Sequence, residues 1–150
     1  MILKDRISQD LKDAMKSGDK VRLQTIRSIR ASILEFEKSG SGKEMNSEEE
    51  IALLTTAAKK RKESIEQFTK GGREDLAKTE ETELQIIMTY LPEQLSAEDI
   101  EKEVIKISEK VGAVSKADFG KLMGAATKEL KGKADGREIK EIVEKVLGKN

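Results

Sequence analysis

Residues 115–136, S-K-A-D-F-G-K-L-M-G-A-A-T-K-E-L-K-G-K-A-D-G, carry the pattern from which the fold class of this chain follows. With Phe119 at zero and about 100° per residue, Phe119, Leu122, Met123, Ala126 and Leu130 share one face, while Lys121, Lys128 and Lys131 fall opposite. The stretch reads as one amphipathic helix. On its water-facing side, Gly120 and Gly124 stand beside the lysines. A helical glycine costs about 1 kcal/mol relative to alanine, so two of them outside the apolar stripe imply that something comes close to the backbone. The candidates are a phosphate chain and a neighbouring helix packed across a small-residue face.

The same period runs through the rest of the chain. A first helix over about 2–16 places Leu3, Ile7, Leu11 and Ala14 or Met15 on one side and ends at Ser17-Gly18. Asp19 caps a second over about 20–37, with Ile26, Ile29, Ile33 and Phe36 inward. Lys38–Asn46 is a glycine-serine-lysine loop expected to be mobile. Ser47 with Glu50 forms a capping box for a third helix over about 48–70. Gly71-Gly72 separates it from a fourth over about 73–91, which Pro92 stops by disfavouring helical geometry in the residue before it. Ser96 with Asp99 opens a fifth over about 97–111, ending at Gly112, with Ile100, Val104, Ile107 and Val111 inward. Ser115 with Asp118 opens the glycine-lysine helix, and Asp135 with Glu138 opens a last one over about 136–147. No β signal competes. The chain is expected to be all-α, with a four-helix N-terminal domain over 1–92 and a small three-helix C-terminal domain over 96–150.

One tertiary contact follows from spacing. Arg61 interrupts the apolar stripe Leu54, Ala58, Ile65, Phe68, and Glu80 interrupts Leu76, Leu84, Ile87, with Glu83 at its margin. The short Gly71-Gly72 turn makes the two helices antiparallel neighbours. Arg61 lies ten residues before Gly71 and Glu80 eight after Gly72, so a half-buried structural ion pair between Arg61 and Glu80 is expected, with Glu83 the alternative partner.

Composition removes several chemistries. The chain has no cysteine and no histidine, hence no disulfide, thiolate nucleophile, zinc–thiolate site or imidazole base. The acids show no clustered ligand spacing, and no serine stands in a nucleophile setting; no catalytic residue, metal or cofactor is expected. Ser39-Gly40-Ser41-Gly42-Lys43 lacks the order and preceding strand of a phosphate-binding loop. Lys59-Lys60-Arg61-Lys62 reads as a solvated helix face, and Arg22, Arg27 and Arg30 as partners of carboxylates such as Glu35 or Glu37. No apolar run reaches the ~20 residues of a membrane span, and no apolar segment like that of a secretory signal opens the chain. A soluble, cytoplasmic protein is expected. The net charge is zero, but between 116 and 133 five lysines (Lys116, Lys121, Lys128, Lys131, Lys133) face two acids, Asp118 and Glu129.

Three separated stretches, F-G-K-L-M-G-A-A-T-K-E-L-K-G-K-A-D-G at 119–136, Y-L-P-E-Q-L-S at Tyr90–Ser96 and L-Q-T-I-R-S-I-R-A-S-I at Leu23–Ile33, together resemble the YqeY family. These small bacterial proteins are similar to the C-terminal helical and tail region of the B subunit of the tRNA-dependent amidotransferase. The resemblance spans nearly the whole chain. It implies two all-helical domains and a tRNA-contacting role. Glutamine-dependent carbon–nitrogen ligase activity enters only by analogy, because 150 residues leave no room for the domain that carries the ATP-dependent chemistry. The expected function is a non-catalytic RNA-interaction module in which Lys116, Gly120, Lys121, Gly124, Lys128, Lys131 and Lys133 meet tRNA. Phe119 points inward, leaving no platform for base stacking, so shape and charge would govern binding. The alternative is an accessory protein of an amidotransferase or other tRNA-modifying complex, docking protein through the glycine-lined helix.

Overall fold

The computed structural model describes residues 2–39 and 42–148. Among these, seven α-helices and one 3-10 turn account for all regular structure; the protein is all-α. Gly40 and Ser41, within the expected mobile loop and the discounted glycine-serine-lysine motif, lie outside the described residues. The chain divides into two compact units, one running to Leu91 and the other beginning at Pro92.

The first unit contains α1 (Leu3–Ser17), α2 (Lys20–Lys38), α3 (Ser47–Lys70) and α4 (Glu74–Met88). Local chemistry sets the boundaries. Gly18 takes a left-handed backbone (φ 73°) that ends α1, and the Asp19 carboxylate accepts from the Arg22 N–H at 3.1 Å to start α2. The capping box of α3 stands one residue earlier than expected. Asn46 accepts from the Glu49 N–H at 2.8 Å, and Glu49 accepts from the Asn46 N–H at 3.1 Å. Both Asn46–Glu49 and Ser47–Glu50 fit the box pattern, and asparagine caps as well as serine. The main helix pairings are α3 with α4 and α1 with α2; α2 also packs on α4, but only lightly on α3. Ile7, Ile26, Leu54 and Ile87 meet at the centre, almost wholly removed from water.

Helix α4 stops at Met88, short of the expected Leu91. Thr89–Leu91 instead form a tighter turn, with Tyr90 N–H donating to Ile87 O (3.0 Å) and Leu91 N–H to Met88 O (3.2 Å). Pro92 biases Leu91 away from helix, and the turn sends the Tyr90 ring inward. The buried Tyr90 hydroxyl donates to Asp10 of α1. The Arg6 guanidinium lies 4.9 Å from the centre of the Tyr90 ring, and its Nη2 donates to Thr89 O at 3.3 Å. Burial, then the bond to Asp10, holds the phenol well above its ordinary pKa. Tyrosine, aspartate and arginine thus pin the end of α4 to the first two turns of α1.

The second unit contains α5 (Ala97–Val111), a 3-10 turn (Lys116–Asp118), α6 (Phe119–Glu129) and α7 (Gly136–Gly148). Its core joins Ile100, Val104 and Ile107 of α5 with Leu122 and Ala126 of α6 and Ile139, Val143 and Leu147 of α7. Ser96 caps α5, accepting from the Asp99 N–H at 3.1 Å. The segment before α5 is tied to the turn after α6. Leu95 N–H donates to Lys133 O at 2.9 Å, and Gln94 Nε2 donates to Gly132 O at 2.6 Å.

Candidate nucleic-acid interface

The glycine-lysine segment is not one helix from end to end. Lys116–Asp118 form a 3-10 turn, α6 occupies Phe119–Glu129, and Leu130–Lys133 turn away. Asp118 sets the start: its carboxylate accepts from the Val114 and Ser115 N–H groups at 2.9 and 3.3 Å. These bonds, with a smaller pull from Lys121, hold its pKa below the ordinary carboxylate range. Gly132, with φ 79°, sets the end, because a left-handed residue cannot continue a right-handed helix. Lys131 and Lys133 therefore lie past the helix.

Within α6, periodicity places Leu122 and Ala126 in the core, with Phe119 and Met123 half-buried against it. Gly120, Lys121, Gly124 and Lys128 are all exposed on the other side. A Cβ added at Gly120 or Gly124 would meet nothing within 4 Å. Among the described residues, no neighbouring helix seals this face. Of the two occupants expected from sequence, a neighbouring helix of the second unit is not found there among the described residues, and the backbone is open.

The charges on this face are largely unanswered. Glu129 is drawn to Lys110 at 3.7 Å, and Asp118 is spent on backbone N–H groups. Among the described residues, Lys116, Lys128, Lys131 and Lys133 have no ion-pair partner within 4.0 Å. The lysines do not form one cluster. Lys121 and Lys128 share the glycine face. Lys116 lines a hollow with Phe119, Glu144 and Leu147, whereas Lys133 borders a groove containing Asp99, Glu103 and Glu129. The compact constellation is Gly120, Lys121, Gly124 and Lys128, with exposed Lys131 following in the turn.

In the first unit, Arg61 of α3 approaches both carboxylates of α4. Its Nε lies 2.8 Å from Glu83 Oε2 and 3.5 Å from Glu80 Oε2. The three side chains are only 18, 12 and 22% exposed for Arg61, Glu83 and Glu80. Arg61 Nε and Glu80 Oε2 are buried without an aligned hydrogen bond, so the contact is electrostatic. Burial and the adjacent Glu83 charge raise the Glu80 pKa against the opposing pull of Arg61. Glu37 pairs with Lys4 (3.0 Å), not with the arginines of α2.

Sequence reading missed the Tyr90–Asp10–Arg6 group. The signal was present: Asp10 lies three residues after Ile7 at the edge of the α1 stripe, and the only tyrosine of the chain precedes Leu91-Pro92.

A family model for Yqey-like proteins matches residues 4–147. The chain belongs to the YqeY family. Several relatives of this YqeY-family chain bear the name "Altered inheritance of mitochondria protein 41, mitochondrial". The protein of Pyrenophora tritici-repentis is 30% identical over 146 residues, covering 95% of this chain and 80% of its own length. That of Vanderwaltozyma polyspora is 32% identical, covering 83% and 72% respectively. That of Lachancea thermotolerans is 38% identical over 85 residues, which are 57% of this chain and 46% of that protein. The chain thus spans less than half of the last of these.

These names correct the cytoplasmic expectation, since the relatives are named as mitochondrial. That expectation rested on missing cysteines and a missing secretory signal, and neither distinguishes one reducing compartment from another. Among the described residues, no helix is long and apolar enough to cross a membrane.

Proposed function

We propose that this YqeY-family chain is a non-catalytic RNA-interaction module that meets the tRNA backbone through the open face of α6. The observation that carries the reading is the empty space over Gly120 and Gly124, flanked by Lys121 and Lys128. A phosphate or sugar can approach bare helix backbone there, where an alanine methyl group would stand in the way. Lys131 extends the charge past the helix end, and Lys116 and Lys133 add it at greater distance. Phe119 packs on the core, so no aromatic surface serves for base stacking and binding follows shape and charge.

Two or three neutralised phosphates would give an affinity falling with salt at a log–log slope of about −2 to −3. The test is fluorescence anisotropy of labelled tRNA between low and physiological salt, with the full chain and a Lys121→Ala, Lys128→Ala, Lys131→Ala variant. The proposal expects binding at low salt, weakened at least ten-fold by the triple substitution and with a shallower slope. Equal binding by the variant, or none by the parent, contradicts it.

The same open backbone also admits a helix at close range, which supports a second reading: an accessory protein beside a glutamine-dependent tRNA amidotransferase. A nuclease-resistant complex with an amidotransferase subunit, lost on Gly120→Leu and Gly124→Leu substitution, would favour it over RNA contact.

A further inference from the structure

Helices α2 and α3 of the first unit lie side by side but barely touch, because each packs chiefly on another helix. Between them runs a groove of about 480 Å³. Phe36, Leu53 and Ala57 line it and are half-buried. Leu53 and Ala57 lean on the core beneath, whereas Phe36 is not among the side chains packed on that core. One of three phenylalanines in the chain is thus committed to the groove.

The groove is polar at both ends, with opposite sign. Near the α2–α3 connection stand Glu35 and Glu49; at the far end stand Lys60 and Arg61. Arg61 is engaged by Glu80 and Glu83, and Glu49 by the cap of α3. Lys60 and Glu35 are exposed, with no ion pair among the described residues. On α2 the lining runs from Ser28 to Phe36 and on α3 from Glu49 to Arg61, a length of about 12–18 Å at about 1.5 Å per residue, with the charged side chains toward its ends. Two to three turns of helix match that length, and a helix seated between two helices fills such a gap by ridge-and-groove packing.

We infer that this groove docks a short amphipathic helix of a partner protein, acidic in its first turn and basic in its last. Lys60 meets the acidic end and Glu35 the basic end, and the apolar stripe covers Phe36, Leu53 and Ala57. This order of charges is also the one that stabilises the docked helix itself through its dipole.

The test uses the full chain and two labelled 14-residue peptides of identical composition. Both carry leucine at helical spacing; one has glutamates first and lysines last, and the other has them exchanged. Anisotropy should show the acid-first peptide binding at least ten-fold tighter. A Lys60→Glu, Glu35→Lys double variant should reverse the preference. Thr56→Arg, which places a long cation from an exposed groove position across the apolar floor, should remove binding at an unchanged circular dichroism spectrum. Equal affinity for the two peptides, binding of neither at millimolar concentration, undiminished binding by Thr56→Arg, or displacement of the peptide by tRNA would each overturn the inference.

Discussion

At Glu80, burial and the charge of Glu83 act in the same direction, and only Arg61 opposes them. Replacing Arg61 with methionine leaves two neighbouring carboxylates in a site that is less than a quarter exposed, and should cost about 2–4 kcal/mol in urea unfolding at pH 7. An unchanged midpoint would show that the arginine does not balance them. Because the folded-state pKa of Glu80 is raised, its contribution is fully present below the unfolded value near 4.5 and is lost as pH rises through the folded value. Glu80→Gln should therefore raise the urea midpoint at pH 7 and flatten the loss of stability on raising pH above about 4.5. A lower midpoint at pH 7 would mean that Glu80, and not Glu83, is the carboxylate Arg61 requires. That Arg61 interrupts an apolar stripe is visible in the sequence. Its closer approach to Glu83 is not, because neighbouring positions on α4 differ by side-chain rotation that periodicity does not encode.

At the scale of the helix, α6 carries two glycines with opposite expectations from Gly132 just beyond it. Gly124 is helical with open space where a methyl group would sit, so Gly124→Ala should stabilise the fold by up to about 1 kcal/mol. Gly132 has φ 79°, so Gly132→Ala should destabilise it by about 1 kcal/mol or more. Thermal melts of the two variants should move in opposite directions, and a fall for Gly124→Ala would mean its face is covered. If RNA uses this face, the stabilised Gly124→Ala protein should also bind tRNA more weakly.

The helical periods were legible, as were the caps Asp19 and Ser96, because these depend on residues close together in sequence. Phe36, however, expected inward on α2, lines the groove beside α3 instead of joining the core. The length of α6 was not. Apolar and cationic periodicity continues from Phe119 through Lys131, while the chain itself breaks where Gly132 turns back to meet Gln94 and Leu95. The displaced cap of α3 has a similar cause: two overlapping boxes satisfy one pattern, and local spacing alone does not choose between them.

At the scale of the whole molecule, the sequence yielded the all-α class and the family, while composition did not yield the compartment. Zero net charge also conceals the uneven placement of lysines, since Glu129 is drawn to Lys110 and Asp118 is held mainly by backbone N–H groups. This leaves Lys128 without an ion pair among the described residues and Lys121 only weakly answered. The proposed activity rests on that local imbalance and not on overall charge, so it should be sharply salt-dependent. The most direct measurement is the salt dependence of tRNA binding by the parent and by the Lys121→Ala, Lys128→Ala, Lys131→Ala variant. Low-salt binding by the parent, with a log–log slope reduced by about 2 in the variant, is the predicted result. Binding whose affinity and slope are the same in both proteins, or no binding by the parent at low salt, would contradict the claim that the open face of α6 receives RNA.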